Sequence, residues 1–310
     1  MKRVRTAGIR ALLWLIGHLP LAAVRGLGWL VGVALWQARE RNRKATEVGL
    51  ALAFPEKSPH EREKLARHSL IETGRTLAEV PIMWERPVPQ CLAMIREVRG
   101  RELLDEAMAR DRGLLLLAPH LGNWELAGLY FSAQFSMAAL YSPPRMVEME
   151  AYMARVRGRG GSELVRADRR GVQRLFTILR EGGVVGILPD QNPEASGGAY
   201  APFFGVDVLT MKLASRLINK TGARALITYA QRTPGGFRLV IDEVDQRFYS
   251  EDINASVAGL NATVEKAVRS VPEQYQWEYK RFKKRPQGWP DPYRIRPQVL
   301  INNQNDNGLH

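Results

Sequence analysis

The sequence predicts a mixed α/β fold: a central sheet flanked by helices, preceded by an N-terminal membrane-anchoring helix. Three observations predict it. Short apolar runs alternate with longer segments in which apolar residues recur at three- and four-residue spacing. One of those runs, residues 114–118, ends abruptly in a polar turn. The first forty residues hold the most apolar stretch of the chain, bordered by basic residues.

Taken in order, the apolar stretch runs over residues 9–24 and 26–36, interrupted by Pro20 and Arg25. Neither half reaches the roughly 18 residues of a confident membrane span. A tilted or broken insertion with Trp14, Trp29 and Trp36 near the interface fits better. Residues 1–5 resemble the basic start of a signal peptide, but apolar character resumes directly after Ala23, which favours a retained anchor. The basic flank at 39–44 keeps that side cytoplasmic. Helices follow at 43–54 and 59–81, the second carrying Leu65, Leu70, Leu77 and Val80, with a break over 81–89. A helix at 101–110 leads into the strand at 113–118. Further strands fall at 138–141, 184–188, 225–229 and 237–241, with helices at 172–180, 211–221 and 254–270. Residues 301–307 have no apolar pattern, so the end of the chain is expected to be disordered. The organisation is an anchor over 1–42, a main domain over 43–288 and a tail over 289–310.

Composition narrows the function classes. The chain has 310 residues, 45% of them hydrophobic, enough for one substantial core in one or two domains. A single cysteine, Cys91, excludes an intrachain disulfide framework and any cysteine-rich zinc site. Five histidines without an H-E-x-x-H pattern argue against a catalytic metal, and no P-loop or G-x-G-x-x-G fingerprint is present. The net charge of +13 is concentrated in residues 1–45 and 279–297, leaving the middle of the chain nearly neutral. The basic blocks carry no nucleic-acid motif. One of them flanks the apolar stretch, so anionic membrane lipids are the better partner, and nucleic acid is not expected.

The sharpest chemical signal is His120-Leu-Gly-Asn-Trp-Glu125, directly after the apolar run. Positions five apart lie roughly 140° apart on an ideal helix, too far to share a face. His120 therefore belongs in the strand-to-helix turn. Asn123 is a good N-cap for the helix that follows, which puts Glu125 in its first turn, where the macrodipole favours the charge. Gly122 supplies the turn's freedom. An imidazole oriented by a carboxylate is a general base able to take a proton from a hydroxyl. The spacing alone is weak, since chance gives about half an occurrence in a chain of this composition. No other histidine here has an acid five residues on.

The same residues carry a resemblance. His120-Leu-Gly-Asn-Trp-Glu125 resembles the H-x-x-x-x-D/E motif of the late acyltransferases of bacterial lipid A assembly, within the wider glycerolipid acyltransferase superfamily. Four further segments agree in order. They are Arg157-Gly-Arg159 with the following Gly-Gly, residues 186–191 ending in Asp190-Gln191, Pro202-Phe203-Phe204-Gly205 with Thr210, and residues 272–286. The resemblance covers roughly residues 40–288 and implies a glycerolipid acyltransferase-like fold. It implies an inner-membrane enzyme, its catalytic domain on the cytoplasmic side, moving a fatty acyl chain from acyl carrier protein, or acyl-CoA, to a hydroxyl of a lipid A precursor. No further cofactor is implied. The chain departs from the family at Ser142-Pro143-Pro144, which displaces an arginine to Arg145, and at Glu278-Tyr279-Lys280, where the family often has histidine. Both departures bear on acceptor position and chain length.

Acyl transfer to a hydroxyl needs a base, an orienter for it, and stabilisation of a tetrahedral oxyanion. His120 is the expected base and Glu125 its orienter, like the last two members of a Ser-His-Asp triad with the lipid hydroxyl as nucleophile. Arg157 and Arg159, ahead of a Gly-Gly break, suit a loop that presents guanidinium groups to phosphate; the competing reading is a solvated face. Asp190 ends an apolar strand at a position where open α/β sheets place ligand groups, or is simply a turn residue. Phe203 and Phe204 are expected either to line an acyl channel or to be plain core, and Thr210 to contact substrate or to cap the next helix. Two other functions compete. One is acyl transfer to another glycolipid or a glycerophospholipid; the other is a nonenzymatic basic protein of the membrane surface.

Overall fold

The computed structural model describes residues 2–38, 41–109, 112–141 and 146–294. The chain divides into two compact units. The first comprises Met1–Leu27, Thr76–Leu188 and Leu217–Val244; the second comprises Gly28–Arg75, Pro189–Arg216 and Asp245–His310.

The α-helices run α1 (Lys2–His18), α2 (Leu21–Gln37), α3 (Arg41–Ala53), α4 (Pro59–Glu85), α5 (Val88–Leu92) and α6 (Arg101–Met108). They continue with α7 (Trp124–Ser132), α8 (Glu150–Gly158), α9 (Arg169–Arg180), α10 (Leu213–Thr221) and α11 (Ile253–Ser270). The strands are β1 (Ile95–Arg99), β2 (Leu114–Leu117), β3 (Met137–Tyr141), β4 (Glu163–Arg166) and β5 (Val184–Ile187). Then come β6 (Gly198–Phe203), β7 (Val206–Met211), β8 (Arg224–Thr233) and β9 (Gly236–Glu243).

In the first unit, seven strands form a mixed sheet in the order β1-β9-β8-β2-β5-β3-β4. The β8–β9 hairpin is antiparallel, and the other neighbouring strands run parallel. Strand β2 lies between β8 and β5, pairing Leu114 with Arg224 on one side and Val184 on the other. All four of its leucines are buried, as are all four residues of β5. This is why both read as continuous apolar runs without alternation. Burying each such leucine contributes roughly 1.5–3 kcal/mol. Helices α6 and α7 pack on the β8 side of the sheet order, and α9 packs on β3, β4 and β5. The first unit's core runs through Leu114, Leu116, Leu126, Phe131, Leu226 and Phe237.

The second unit contains the antiparallel β6–β7 hairpin, with α11 against β6. The connection is Phe204-Gly205, with φ values of 51° and 71°. Two positive φ values match the right-handed twist of a tight hairpin. Where Asn-Gly normally announces such a turn, Phe-Gly does not, and the hairpin is invisible to turn signals.

Several expectations need correction. Helix α4 continues through Pro81 to Glu85 instead of stopping there. Proline removes only the bond to the carbonyl of Leu77, and Leu77 is exposed, so water can satisfy it. The break comes at Arg86-Pro87. Met211 ends strand β7, and the helix expected from 211 starts at Leu213. Strands β1 and β4 were not expected, since Ile-Arg-Glu-Val-Arg and Glu-Leu-Val-Arg are charged sheet edges with little apolar signal. Among the described residues no single helix is long and apolar enough to cross a membrane; the N-terminal stretch forms two 17-residue helices, α1 and α2. Arg39, Arg145 and residues 301–307, where disorder is expected, lie outside the described residues, whereas the start of the expected tail includes a short turn, Pro292–Arg294, with Tyr293 buried.

Candidate active site

The chain leaves β2 at Leu117 and turns through Ala118 to Gly122 before α7 begins. His120 lies in this turn, outside the helix, and is buried. Its ring meets Trp124 edge-on at 5.0 Å. Gly122 has φ 61°, and a Cβ there would sit 2.2 Å from the carbonyl oxygen of Ala230 on β8. Only glycine allows that approach. The N–H of Asn123 donates to the same carbonyl at 2.8 Å, so the turn is pinned to the neighbouring strand. Asn123 caps α7 as its position predicts, its Oδ1 accepting from Leu126 N–H at 3.0 Å.

Glu125 falls in the first turn of α7 with its side chain 8% exposed. Trp84 Nε1 donates to Oε2 at 3.1 Å, and Arg157 Nε donates to Oε1 at 3.1 Å, with Arg157 Nη2 on the same oxygen. A carboxylate so hydrogen-bonded is held in one rotamer. Arg157 comes from the last turn of α8. Arg157 and Glu125 are thus brought together, and His120 lies in the turn that leads into the helix carrying Glu125. Arg159 is placed differently. It donates to the carbonyls of Met83 and Arg86 and approaches Cys91 Sγ at 3.6 Å, tying down the C-terminal end of α4. Burial pushes the Cys91 thiol pKa up.

A charged cluster that the sequence did not reveal supports the turn. Glu79 on α4 is fully buried. Arg232 grips it with Nε at 2.8 Å and Nη2 at 2.7 Å, Arg25 adds a bond at 2.8 Å, and Asn123 Nδ2 donates at 3.2 Å. Burial alone would raise the Glu79 pKa; the facing Arg232 and Arg25 guanidiniums outweigh it and hold the value below the ordinary one. Arg25 also donates to the carbonyls of Thr233 and Gly236, closing the β8–β9 hairpin. Glu72, Thr76 and Glu79 recur at helical spacing, a polar pattern with no apolar signal, yet all three are buried. That is why the cluster escaped notice.

The remaining expected residues belong to the second unit. Thr210 sits within β7 and caps no helix; its hydroxyl donates to Asn261 Oδ1 at 3.1 Å and accepts from Arg281 Nη2 at 2.5 Å. Buried Arg281 also donates to Leu209 O at 2.7 Å and Asn192 Oδ1 at 3.0 Å. Burial lowers the Arg281 pKa, and the nearby charge of buried Asp190 opposes that. Phe203 and Phe204 meet edge-to-face at 4.8 Å within an aromatic core that includes Phe54, Tyr275, Trp277 and Phe282. Glu278 accepts from Thr46 and Thr73 on Oε1, while its buried Oε2 has no partner among the described residues. Burial pushes the Glu278 pKa up to about 7.

The family described as bacterial lipid A biosynthesis acyltransferase matches residues 5–284. The chain belongs to it. Among curated relatives of this lipid A acyltransferase, the lipid A biosynthesis palmitoleoyltransferase of Escherichia coli (strain K12) is 29% identical over 279 residues. That alignment covers 89% of this chain and 90% of the relative. The lipid A biosynthesis lauroyltransferase of the same organism is 28% identical over 287 residues, 91% and 92% of the two chains. Its lipid A biosynthesis myristoyltransferase is 24% identical over 257 residues, 82% and 79%. The chain is an acyltransferase of lipid A biosynthesis. These three relatives carry three different acyl names, so likeness to them leaves chain length open.

Proposed function

We propose that this acyltransferase moves a fatty acyl chain from acyl carrier protein to a hydroxyl of a lipid A precursor, at the cytoplasmic side of the inner membrane. His120 takes the proton from the acceptor hydroxyl as that oxygen attacks the thioester carbonyl. The thiol leaves with a proton returned by the imidazolium, so no acyl-enzyme forms. Glu125 stabilises the positive charge that develops on the imidazole. Arg157 and Trp84 keep Glu125 oriented for that task. N–H groups at the start of α7 other than that of Leu126, which Asn123 caps, are the donors proposed for the oxyanion. Arg159 is read as a support of the first unit, and Asp190, Phe203, Phe204 and Thr210 as supports of the second.

The observation that carries the proposal is the position of Glu125, its carboxylate held by Trp84 and Arg157, in the first turn of the helix that follows a histidine turn pinned to β8. The same turn geometry serves an acyltransferase acting on another glycolipid or a glycerophospholipid. Lipid A from a deletion strain decides between them. Loss of one acyl chain, restored by the wild-type gene and not by a His120→Ala copy, is the expected result. An unchanged lipid A profile would sink the assignment.

Membrane association is part of the proposal. Leu12, Trp14 and Leu15 of α1 are each more than half exposed, and Trp29, Leu30 and Val31 of α2 are also exposed. Gly28 and Gly32 bring α2 into backbone contact with Arg75 and Ile71 of α4, where any Cβ would clash. With one face of α2 packed on protein and the other apolar and exposed, the helix is suited to lie in the interface.

A further inference from the structure

Apart from the histidine turn, the first unit carries a surface-open cavity of about 320 Å³ lined by residues of α1, α4 and α8. Arg10, Trp14, Glu85, Tyr152 and Arg155 line it. The guanidinium carbons of Arg10 and Arg155 stand 5.5 and 5.4 Å from the centroid of the same Tyr152 ring. Among the described residues, no ion pair joins either arginine to a carboxylate. Glu85, the acid in the cavity, accepts the Tyr152 hydroxyl instead. Burial, then that bond, pushes the Tyr152 pKa up, so the hydroxyl stays a neutral donor. Two like charges on one ring repel one another unless an anion comes between them.

The cavity's other features qualify that anion. Its α1 wall sets Ala7, Ala11 and Trp14 beside Arg10, so an anion attached to hydrocarbon meets charged and apolar side chains together. On the inner side, Trp84 packs edge-on against Tyr152 at 5.8 Å and donates to Glu125. One side chain thus separates the cavity from the candidate catalytic carboxylate. We infer that this cavity is a lipid-phosphate subsite, in which Arg10 and Arg155 grip the phosphate of a lipid headgroup. Paired guanidinium forks match phosphate oxygens better than a single fork does. The Arg157 fork, by contrast, is engaged by Glu125. If the acyl-transfer reading holds, the acceptor's own phosphate is the natural occupant; the headgroup of a surrounding lipid shares its chemistry.

The test uses the full chain and two readouts. Steady-state kinetics compare a phosphorylated lipid A precursor with its dephosphorylated form, and Trp emission follows binding to phosphatidylcholine vesicles with or without phosphatidic acid. Arg10→Gln/Arg155→Gln is expected to raise KM for the phosphorylated acceptor about tenfold with kcat little changed, and to leave the dephosphorylated acceptor unaffected. A loss confined to phosphatidic acid vesicles would assign the same subsite to bulk lipid. Wild-type affinity and KM in the folded double variant, with its thermal midpoint intact, would overturn the inference. If that variant does not fold, Arg155→Lys, which keeps charge and loses the fork, must show a smaller shift in the same direction. Failure of wild-type acyl transfer would instead refute the catalytic reading, because the vesicle readout does not depend on it.

Discussion

Glu278 shows how one side chain ties stability to pH. Its pKa in the folded chain is about 7, against an ordinary carboxylate value of 4.5. The folded state therefore keeps a proton that the unfolded state releases first. Stability is highest below the unfolded value and falls as pH rises through the window from 4.5 to about 7. Glu278→Gln removes the titration while keeping an acceptor for Thr46 and Thr73. It should raise stability at pH 8 by about 2 kcal/mol and flatten the profile across that window, as denaturant melts would show. A variant whose pH profile matched wild type would place the titrating group elsewhere. Arg157 allows a second test at this scale. If it acts by holding Glu125, Arg157→Ala should lose activity equally with phosphorylated and dephosphorylated acceptors. A loss confined to the phosphorylated acceptor would make it the phosphate clamp that its sequence context suggests.

At the scale of elements, the β2–α7 connection depends on its neighbours. Gly122 and Asn123 fix it to β8, and Glu79 fixes Asn123 to α4 while neutralising Arg232 and Arg25. Replacing Glu79 by alanine leaves two guanidiniums without their shared carboxylate, and Arg232 is buried. The expected cost is about 3–5 kcal/mol, measurable as a shift in urea midpoint. Gly122→Ala imposes a positive φ on a residue with a Cβ and a clash with Ala230. It should cost at least about 1–2 kcal/mol and displace His120. The pinned turn was legible in sequence from its parts: an apolar run, a histidine, a glycine, an N-cap and a first-turn acid. The elements that surround it were less so. Pro81 signals a helix end, yet α4 runs through it to Glu85. The β6–β7 turn lacks the residues that advertise positive φ, and the edge strands β1 and β4 are too charged to read as strands.

For the molecule as a whole, the short central strands and their helices were predictable because buried parallel strands are written in leucine and valine. The Glu79 cluster was not, because burial of a polar stripe depends on partners distant in sequence: Arg25 and Arg232 lie 54 and 153 residues away. The same connection bears on membrane binding. Arg25 ties the start of α2 to Glu79, so removing the N-terminal helices would destabilise the fold along with any anchoring. Substituting exposed residues separates the two effects. Leu12→Gln/Leu15→Gln should weaken vesicle partitioning about tenfold while leaving the thermal midpoint nearly unchanged. Unchanged partitioning would move the membrane contact away from α1.

The central claim is that His120 and Glu125 act as one unit in acyl transfer, and a double-mutant cycle on the rate tests it most directly. His120→Ala should lower kcat by about 10²–10⁴-fold in protein that remains folded and membrane-bound. Glu125→Gln should lose much of the same rate, and the double variant should be little worse than His120→Ala alone. Near wild-type transfer by folded His120→Ala protein, or losses that simply multiply in the double variant, would contradict the account.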